Sequence, residues 1–535
     1  YQDKGIGRYR LYSPGMDGPE KLVVPSMAGN VVNRNSAHKM VKDISGELAG
    51  ASLSYIPSDS TREISSFSST NLISSIYLAA EKKISDSYAR DFLHYKDYVE
   101  TEYSHSFVES NSKVKILKNA DQFYVHWTLE PTVMNFAQDK DRYYASLRLI
   151  ITVEDLSGLR ILEKEEEIPL SISPEDFLKY DKKLFAIQDL FPIIPGRFKL
   201  SFFLQNKTTK DFTSFQTDIS VPEDNADPQL GNLLVYVARE QLPEFQRNNL
   251  KAFSFDGKHY VINSQNHLLP NKECGIYLQT FDIPDKKDMS LVVEFISSDT
   301  NTVAYNLTKT LDAALTSDGT GIDIYPISLA SVKPGYYGLE VSLLDKNKEK
   351  VFSQRENIIL LSQSAPVIPL VYAKLHDPAP NAEFLFLLAS QYFLSREYEK
   401  AQNYLELILE NQDSSRPRLL LGQTLFAREK FADSIAVVLP VFQNTQDRET
   451  GKLLAANYAR LKNWASALVY LEKLLETATE LSVLNLAAEC YINLNLPEKA
   501  LPLLQKSLEI DPNQARIKEL EEKIKKLILS FLGSF

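Results

Sequence analysis

Seven histidines stand at positions 38, 94, 105, 126, 259, 267 and 376. None has the spacing that sets two imidazoles on one face of a helix, so a His-Glu-x-x-His zinc site is excluded. Cys274 and Cys490 are the only thiols. They fall in separate predicted units, whereas a disulfide needs Cα atoms within about 7 Å, so both are expected as small buried apolar side chains. There is no Gly-x-Ser-x-Gly elbow for a nucleophile. Gly257-Lys258-His259 lacks the upstream glycine and the hydroxyl residue of a phosphate loop. Gly5-Ile6-Gly7 lacks the third glycine of a dinucleotide turn. Glu163-Lys164-Glu165-Glu166-Glu167 has no calcium-loop glycine and reads as a solvated strand or edge. Asp318 to Asp323 reads as a simple turn. His126 falls on the polar side of the alternating stretch Phe123–Trp127, which predicts a surface or half-buried structural role. No metal, cofactor or catalytic residue is therefore expected, and the chain reads as a non-enzyme.

These residues must be carried by more than one domain, because 535 residues exceed what a single core supports. Hydrophobic residues at 44% and charged residues at 24% are globular values, which excludes a disordered or collagenous chain. The net charge of −11 argues against a nucleic-acid surface. No apolar run is long enough to span a membrane. The chain begins at Tyr1, which suggests a processed form or a fragment, a removed signal peptide among the explanations.

The last third repeats itself. Tyr392, Tyr398 and Ala401 recur 33 residues on as Leu425, Phe431 and Ser434, then as Tyr458, Trp464 and Ala467, then as Tyr491, Pro497 and Ala500. Ala389, Gly422, Ala455 and Ala488 form a second in-register series, and Leu405, Val438, Leu471 and Leu504 a third. Small residues let paired helices cross closely, and large ones fill the grooves between units, so the pattern predicts stacked α-hairpins that bury their faces on one another. Residues 381–513 resemble tetratricopeptide repeats, which implies a superhelix with a concave face lined by the first helix of each pair. By that register the lining positions are Phe386, Ser390 and Phe393, then Leu419, Gln423 and Phe426. Lys452, Ala456 and Arg460 follow, then Asn485, Glu489 and Ile492. Only Lys452 matches a peptide-carboxylate clamp, so the apolar first half points to an amphipathic helix or hydrophobic strand as ligand. After Asp511-Pro512, residues 514–535 predict an amphipathic capping helix. Its greasy end, with Phe531, Leu532 and Phe535, is a candidate docking element.

Residues 116–222 and 229–363 alternate as strands. Leu147, Leu149, Ile151 and Val153 share one face, as do Phe198, Leu200, Phe202 and Leu204 after Pro195-Gly196. The same grammar returns after Pro334-Gly335 with Tyr337, Leu339, Val341 and Leu343. Two tandem β-sandwiches are expected, and their Pro-Gly-x-aromatic-x-Leu openings resemble immunoglobulin-like and fibronectin-type modules. The predicted architecture is an N-terminal α+β region over 1–115, sandwiches at 116–222 and 229–363, a Pro-rich linker over 364–380, four repeats and a cap. In residues 1–115, strands are expected near Arg8–Tyr12 and Lys21–Pro25, a helix from Leu72 to Ile84, and an arm from Tyr95 to Phe107. Gly7–Tyr12 and Tyr98–Tyr103, followed by sandwich modules and repeats, resemble bacterial GWxTD-domain-containing proteins, although Gly-Trp-x-Thr-Asp itself is absent. That resemblance implies export and no known catalytic residues. Together these features predict a scaffold of the bacterial cell envelope, periplasmic or extracellular, that grips a protein partner. The alternatives are a self-associating surface assembly, an enzyme with its site in the N-terminal region, and a cytoplasmic location.

Overall fold

The computed structural model of the chain describes residues 107–532 apart from 120, 140–141, 176–184, 224–227, 256, 285, 317–318, 363–367 and 478–479, together with three short strands near the start. Those strands, Gln2–Asp3, Tyr9–Tyr12 and Leu22–Val23, pair antiparallel. The expected helix at 72–84, the arm at 95–106, the glycines at 5 and 7, Asp318, Phe535 and the side chains of Phe531 and Leu532 lie outside the described residues.

Seven long strands build the first unit: β1 (Ser110–Asn119), β2 (Gln122–Pro131), β3 (Arg142–Asp155), β4 (Arg160–Ile172), β5 (Phe185–Pro192), β6 (Gly196–Asn206) and β7 (Phe212–Val221). The short strand Ala137–Asp139 pairs beside β3. β1, β2 and β5 form one sheet in that order, and β4, β3, β6 and β7 another. The alternation explains the packing. Phe123, Val125 and Trp127 of β2 share one core with Leu147, Leu149 and Ile151 of β3 and Leu200 and Phe202 of β6. Within it the Trp127 and Phe202 rings lie 5.0 Å apart. The acidic run lies in β4, where Glu163, Glu165 and Glu167 point to solvent and ion-pair with Arg160, Arg148 and Lys207.

The second unit repeats this order with β8 (Leu234–Tyr236), β9 (Glu273–Phe281), β10 (Ser290–Ser297), β11 (Val303–Thr310), β12 (Gly321–Ser328), β13 (Gly335–Leu344) and β14 (Lys350–Leu360). β8, β9 and β12 pair in one sheet; β11, β10, β13 and β14 pair in the other. Tyr337, Leu339, Val341 and Leu343 face its core, as their alternation predicts. One difference separates the units. Where β1 turns directly into β2, the chain between β8 and β9 inserts a small sheet of Ala238–Gln241, Lys258–Val261 and Ser254–Phe255.

That insertion joins the units. Phe253, Phe255 and Tyr260 pack with Leu117, Tyr124 and Leu190 of the first unit and with Tyr236 and Tyr277 of the second. Polar ties reinforce the seam: Asn232 Oδ1 accepts from the Ile116 N–H at 2.7 Å, Ser264 Oγ donates to Glu130 at 2.5 Å, and Lys115 pairs with Glu356. Burial of the Lys113 ammonium, against Asn263 O at 2.9 Å, lowers its pKa to about 7. Asp323 is not a turn residue. It sits in β12 and receives Arg239 at 2.7 Å and Tyr236 Oη at 2.7 Å, clamping the insertion down.

The stretch expected as a linker carries two short strands. Leu370–Ala373 pairs parallel with β5, and Leu375–His376 pairs with Leu250–Lys251 of the insertion. His376 is hydrogen-bonded to Asp189 of β5 at 2.6 Å, and Lys374 pairs with Glu166 of β4 at 2.5 Å. Its short apolar run, Leu370-Val-Tyr-Ala373, finds open β5 backbone, so an edge strand forms where a hinge was expected.

Nine helices follow among the described residues: α1 (Ala382–Leu394), α2 (Tyr398–Asn411), α3 (Ser415–Ala427), α4 (Phe431–Thr445), α5 (Arg448–Arg460), α6 (Trp464–Thr477), α7 (Leu481–Asn493), α8 (Pro497–Ile510) and α9 (Ala515–Leu532). Each hairpin turns through one left-handed residue, Arg396, Glu429, Lys462 or Asn495, at φ 64, 61, 59 and 58°. Their 33-residue spacing reproduces the sequence period in the backbone. A carbonyl four residues before each one, from Tyr392, Leu425, Tyr458 and Tyr491, accepts the N–H of the residue that follows it, which closes the first helix of each pair. α9 covers the last repeat with Ile524 buried and Ile517, Leu520 and Ile528 packed against it, while Leu527 and Leu529 stay exposed.

Candidate functional site

The groove is built from α1, α3, α5 and α7, whose lining positions derive from one repeat register. Each hairpin closes where small residues meet: Ala389 with Ala401, Ala455 with Ala467 and Ala488 with Ala500, all fully buried. In the second repeat the pair is Gly422 and Ser434, and the Ser434 hydroxyl donates to the Gly422 carbonyl at 2.8 Å. Asn457 of α5 donates to Ser434 Oγ at 2.8 Å, stitching this repeat to the next.

The structure divides the predicted lining. Phe393 is half-buried against the core cluster that Leu388, Tyr392 and Ala401 share with the first β unit, and lies 5.7 Å from the Tyr398 ring. Phe386 is half-buried beneath the Arg416 guanidinium, 4.4 Å from its ring centre. The Ser390 hydroxyl donates to the Phe386 carbonyl in its own helix at 2.8 Å. Lys452 is held at 2.7 Å by both Glu449 and Glu480, and these hydrogen bonds keep its ammonium above the ordinary lysine range. Arg448 joins the same Glu480 at 2.8 Å. Asn485 donates to Gln514 at 2.8 Å and accepts from Ser507 Oγ at 2.7 Å, so it serves the junction with the cap. Glu489 is exposed.

What remains is the face of α3. Leu419, Gln423 and Phe426 are half-buried, and the Gln423 side chain has no hydrogen bond among the described residues. Phe426 is braced edge-on by Phe431 at 5.4 Å. An apolar stripe with one free amide can take a peptide: the amide answers a backbone group and the apolar side chains take its hydrophobic face.

The first repeat is committed to the β units in a way sequence inspection missed. Leu388, Tyr392 and Ala401 enter the core of the first unit. Gln391, fully buried, donates to Pro192 O at 2.9 Å and accepts from the Ile194 N–H at 3.1 Å. Phe384 reaches the insertion core and lies 4.8 Å from the His376 ring. One signal was available: a glutamine in the middle of an apolar helix face must find a partner.

His126 is buried too, between Phe253 and Phe255, with its Nδ1 accepting from the Phe253 N–H at 2.9 Å. Burial pushes its imidazole down to about 3. The expected surface or half-buried position assumed that the outer face of β2 meets water; the insertion covers it. Both thiols are buried and free, and burial raises them, Cys274 to about 12 and Cys490 to about 11. Among the described residues no group of three metal-ligating side chains is assembled, and no helix is long and apolar enough to cross a membrane.

Residues 458–524 match the family model of the tetratricopeptide repeat. Solved structures resemble the helical part. YrrB, a repeat protein with an unusual peptide-binding site, is 18% identical over 26% of this chain and 74% of its own, with a TM-score of 0.25. A MamA double mutant is 17% identical over 27% and 82%, with a TM-score of 0.26. A thermophilic repeat protein of Thermus thermophilus, TTC0263, is 16% identical over 27% and 81%, with a TM-score of 0.23. No curated protein matches this chain. The C-terminal region is an all-helical, tetratricopeptide-like repeat array that follows a strand-rich region.

Proposed function

We propose that this chain is a non-catalytic scaffold that binds a polypeptide, as an amphipathic helix or extended strand, in its repeat groove with the α3 face at the centre. The observation that carries this reading is the half-buried stripe of Leu419, Gln423 and Phe426 with its uncommitted amide. Phe386, Ser390, Lys452, Asn485 and Glu489 then frame the site, and Phe393 serves the fold. The β units supply the platform that fixes the first repeat. Their common strand order supports an immunoglobulin- or fibronectin-like kinship, and so does the Tyr337 hydroxyl at the start of β13, which donates to Lys333 O at 2.6 Å as a tyrosine corner does. The bacterial cell envelope as the place of action is supported by the resemblance to GWxTD-domain proteins alone.

Display of random peptides against the full chain tests the groove. Selected binders are expected to lose about tenfold or more in affinity on Leu419→Glu or Gln423→Lys, since each buries an unpaired charge. Binders indifferent to both changes would remove the groove from the function. Self-association is the second reading, favoured by the exposed Leu527 and Leu529 on α9. Light scattering of Leu529→Lys against the parent chain separates the two.

A further inference from the structure

A cavity of about 640 Å³ opens where the β1–β2 turn, the insertion, the end of β9 and the residues before α1 meet. This is the size of a small-molecule site. Aromatic rings line it: Phe281 is half-buried and offers part of its ring, while Phe255 and Tyr277, stacked at 5.1 Å with planes 6° apart, are buried at 8% and 2% exposure and back the wall. Its walls are pinned. The Gln279 amide accepts from the Lys118 N–H at 2.6 Å and donates to the Lys118 carbonyl, and Asn249 donates to His376 O at 2.9 Å.

The polar side chains around the opening behave differently from those of the seam beside it. Lys113, Lys115, Glu130, Asp189 and Asp323 all have partners in the seam. At the cavity, Asn119, Asp121, Arg247, Asn248 and Asp282 have no side-chain hydrogen bond or ion pair among the described residues. Among the described residues the Lys118 ammonium has no hydrogen bond or ion pair and lies 5.4 Å from the centre of the Phe123 ring. Uncommitted donors and acceptors thus ring one hollow beside the partly exposed Phe281 ring.

The mixture selects the ligand. An anion would be drawn by Lys118 and Arg247 but repelled by Asp121 and Asp282, and a cation would meet the reverse. A lipid tail would leave the rim unsatisfied. Vicinal hydroxyls both donate and accept, so they suit planar amide, carboxylate and guanidinium groups together, and the C–H face of a sugar ring suits the partly exposed Phe281 ring. We propose that this cavity binds a neutral saccharide. The site is independent of the repeat groove.

The test is calorimetry of the full chain with maltohexaose, cellohexaose and chitohexaose at millimolar concentration, and with tetraglutamate and tetralysine as charged probes. At least one neutral sugar is expected to bind, and Asn248→Ala combined with Asp282→Ala should weaken it about tenfold or more. Both residues are exposed and unpaired, so an unchanged melting temperature shows that the fold survives. Leu419→Glu should leave sugar binding intact, which separates this site from the groove. Absence of binding by all three sugars, equal affinity in the double variant, or binding of a charged probe alone would overturn the proposal.

Discussion

At the scale of single residues the clearest device is the left-handed turn position. An L-residue with a β-carbon at φ near +60° is strained by about 1 kcal/mol, which glycine avoids and asparagine reduces. Three of the four turns carry Arg396, Glu429 and Lys462 there, and the fourth already has Asn495. Glu429→Gly is therefore expected to stabilise the chain by about 0.5–1 kcal/mol, read from the urea midpoint. Asn495→Gly should gain less. A second residue-scale expectation concerns acid. Burial holds His126 near 3 and His259 near 4, both below the ordinary histidine value. The unfolded chain thus binds more protons at these two histidines in acid, so their contribution to stability is full above about pH 6.5 and falls as pH drops toward the folded values. Each imidazole removes up to about 1.4 kcal/mol per pH unit across that window. Asp189 faces His126 and reinforces the trend: although burial raises it, the His376 hydrogen bond and Lys164 hold it below the usual carboxylate range. Melting temperatures between pH 7 and 4 should drop less steeply in His126→Gln.

At the scale of elements, legibility followed periodicity. Strands β3, β6 and β13 and the four hairpins declared themselves because each long element turns one face to a core, and several periods of alternation accumulate. Leu370–Ala373, Ser254–Phe255 and Leu375–His376 are two to four residues long and show hardly one period, so their pairing was invisible. The Gly422 position was visible as a member of the small-residue series, but not why glycine replaces alanine there. A β-carbon on Gly422 would stand 2.0 Å from Val438 Cγ2. The other three repeats place unbranched-β leucines, Leu405, Leu471 and Leu504, opposite an alanine. Gly422→Ala should consequently destabilise by about 1–3 kcal/mol despite alanine's better helix propensity, and Val438→Ala should relieve much of it. A double-mutant cycle followed by circular dichroism measures that coupling.

For the molecule as a whole, the candidate groove was only half legible because contacts between distant segments decide which lining residues are free. Phe393 and Asn485 share the register of Phe426 and Lys452, yet the first packs on the core cluster that α1 shares with the β units and the second serves the cap. The expected string of separate modules is instead a body in which the edge strand Leu370–Ala373, the insertion and α1 share cores with both β units. Cooperative unfolding should then divide the repeat array: α1 belongs with the sheets, and α5 to α8 form their own cluster around Ala467, Leu471 and Leu504. Hydrogen exchange of the full chain should show amides of Ala382–Leu394 opening with those of β2 and β5, more slowly than the amides of α7 and α8. Gln391→Ala leaves the buried Ile194 N–H and Pro192 carbonyl without their partner, at about 1–3 kcal/mol. It should speed exchange in α1 and β5 together while α7 stays unchanged. Exchange of α1 in step with α7 and α8 in the parent chain would instead show that the repeats fold as one array, with the β units as mere neighbours.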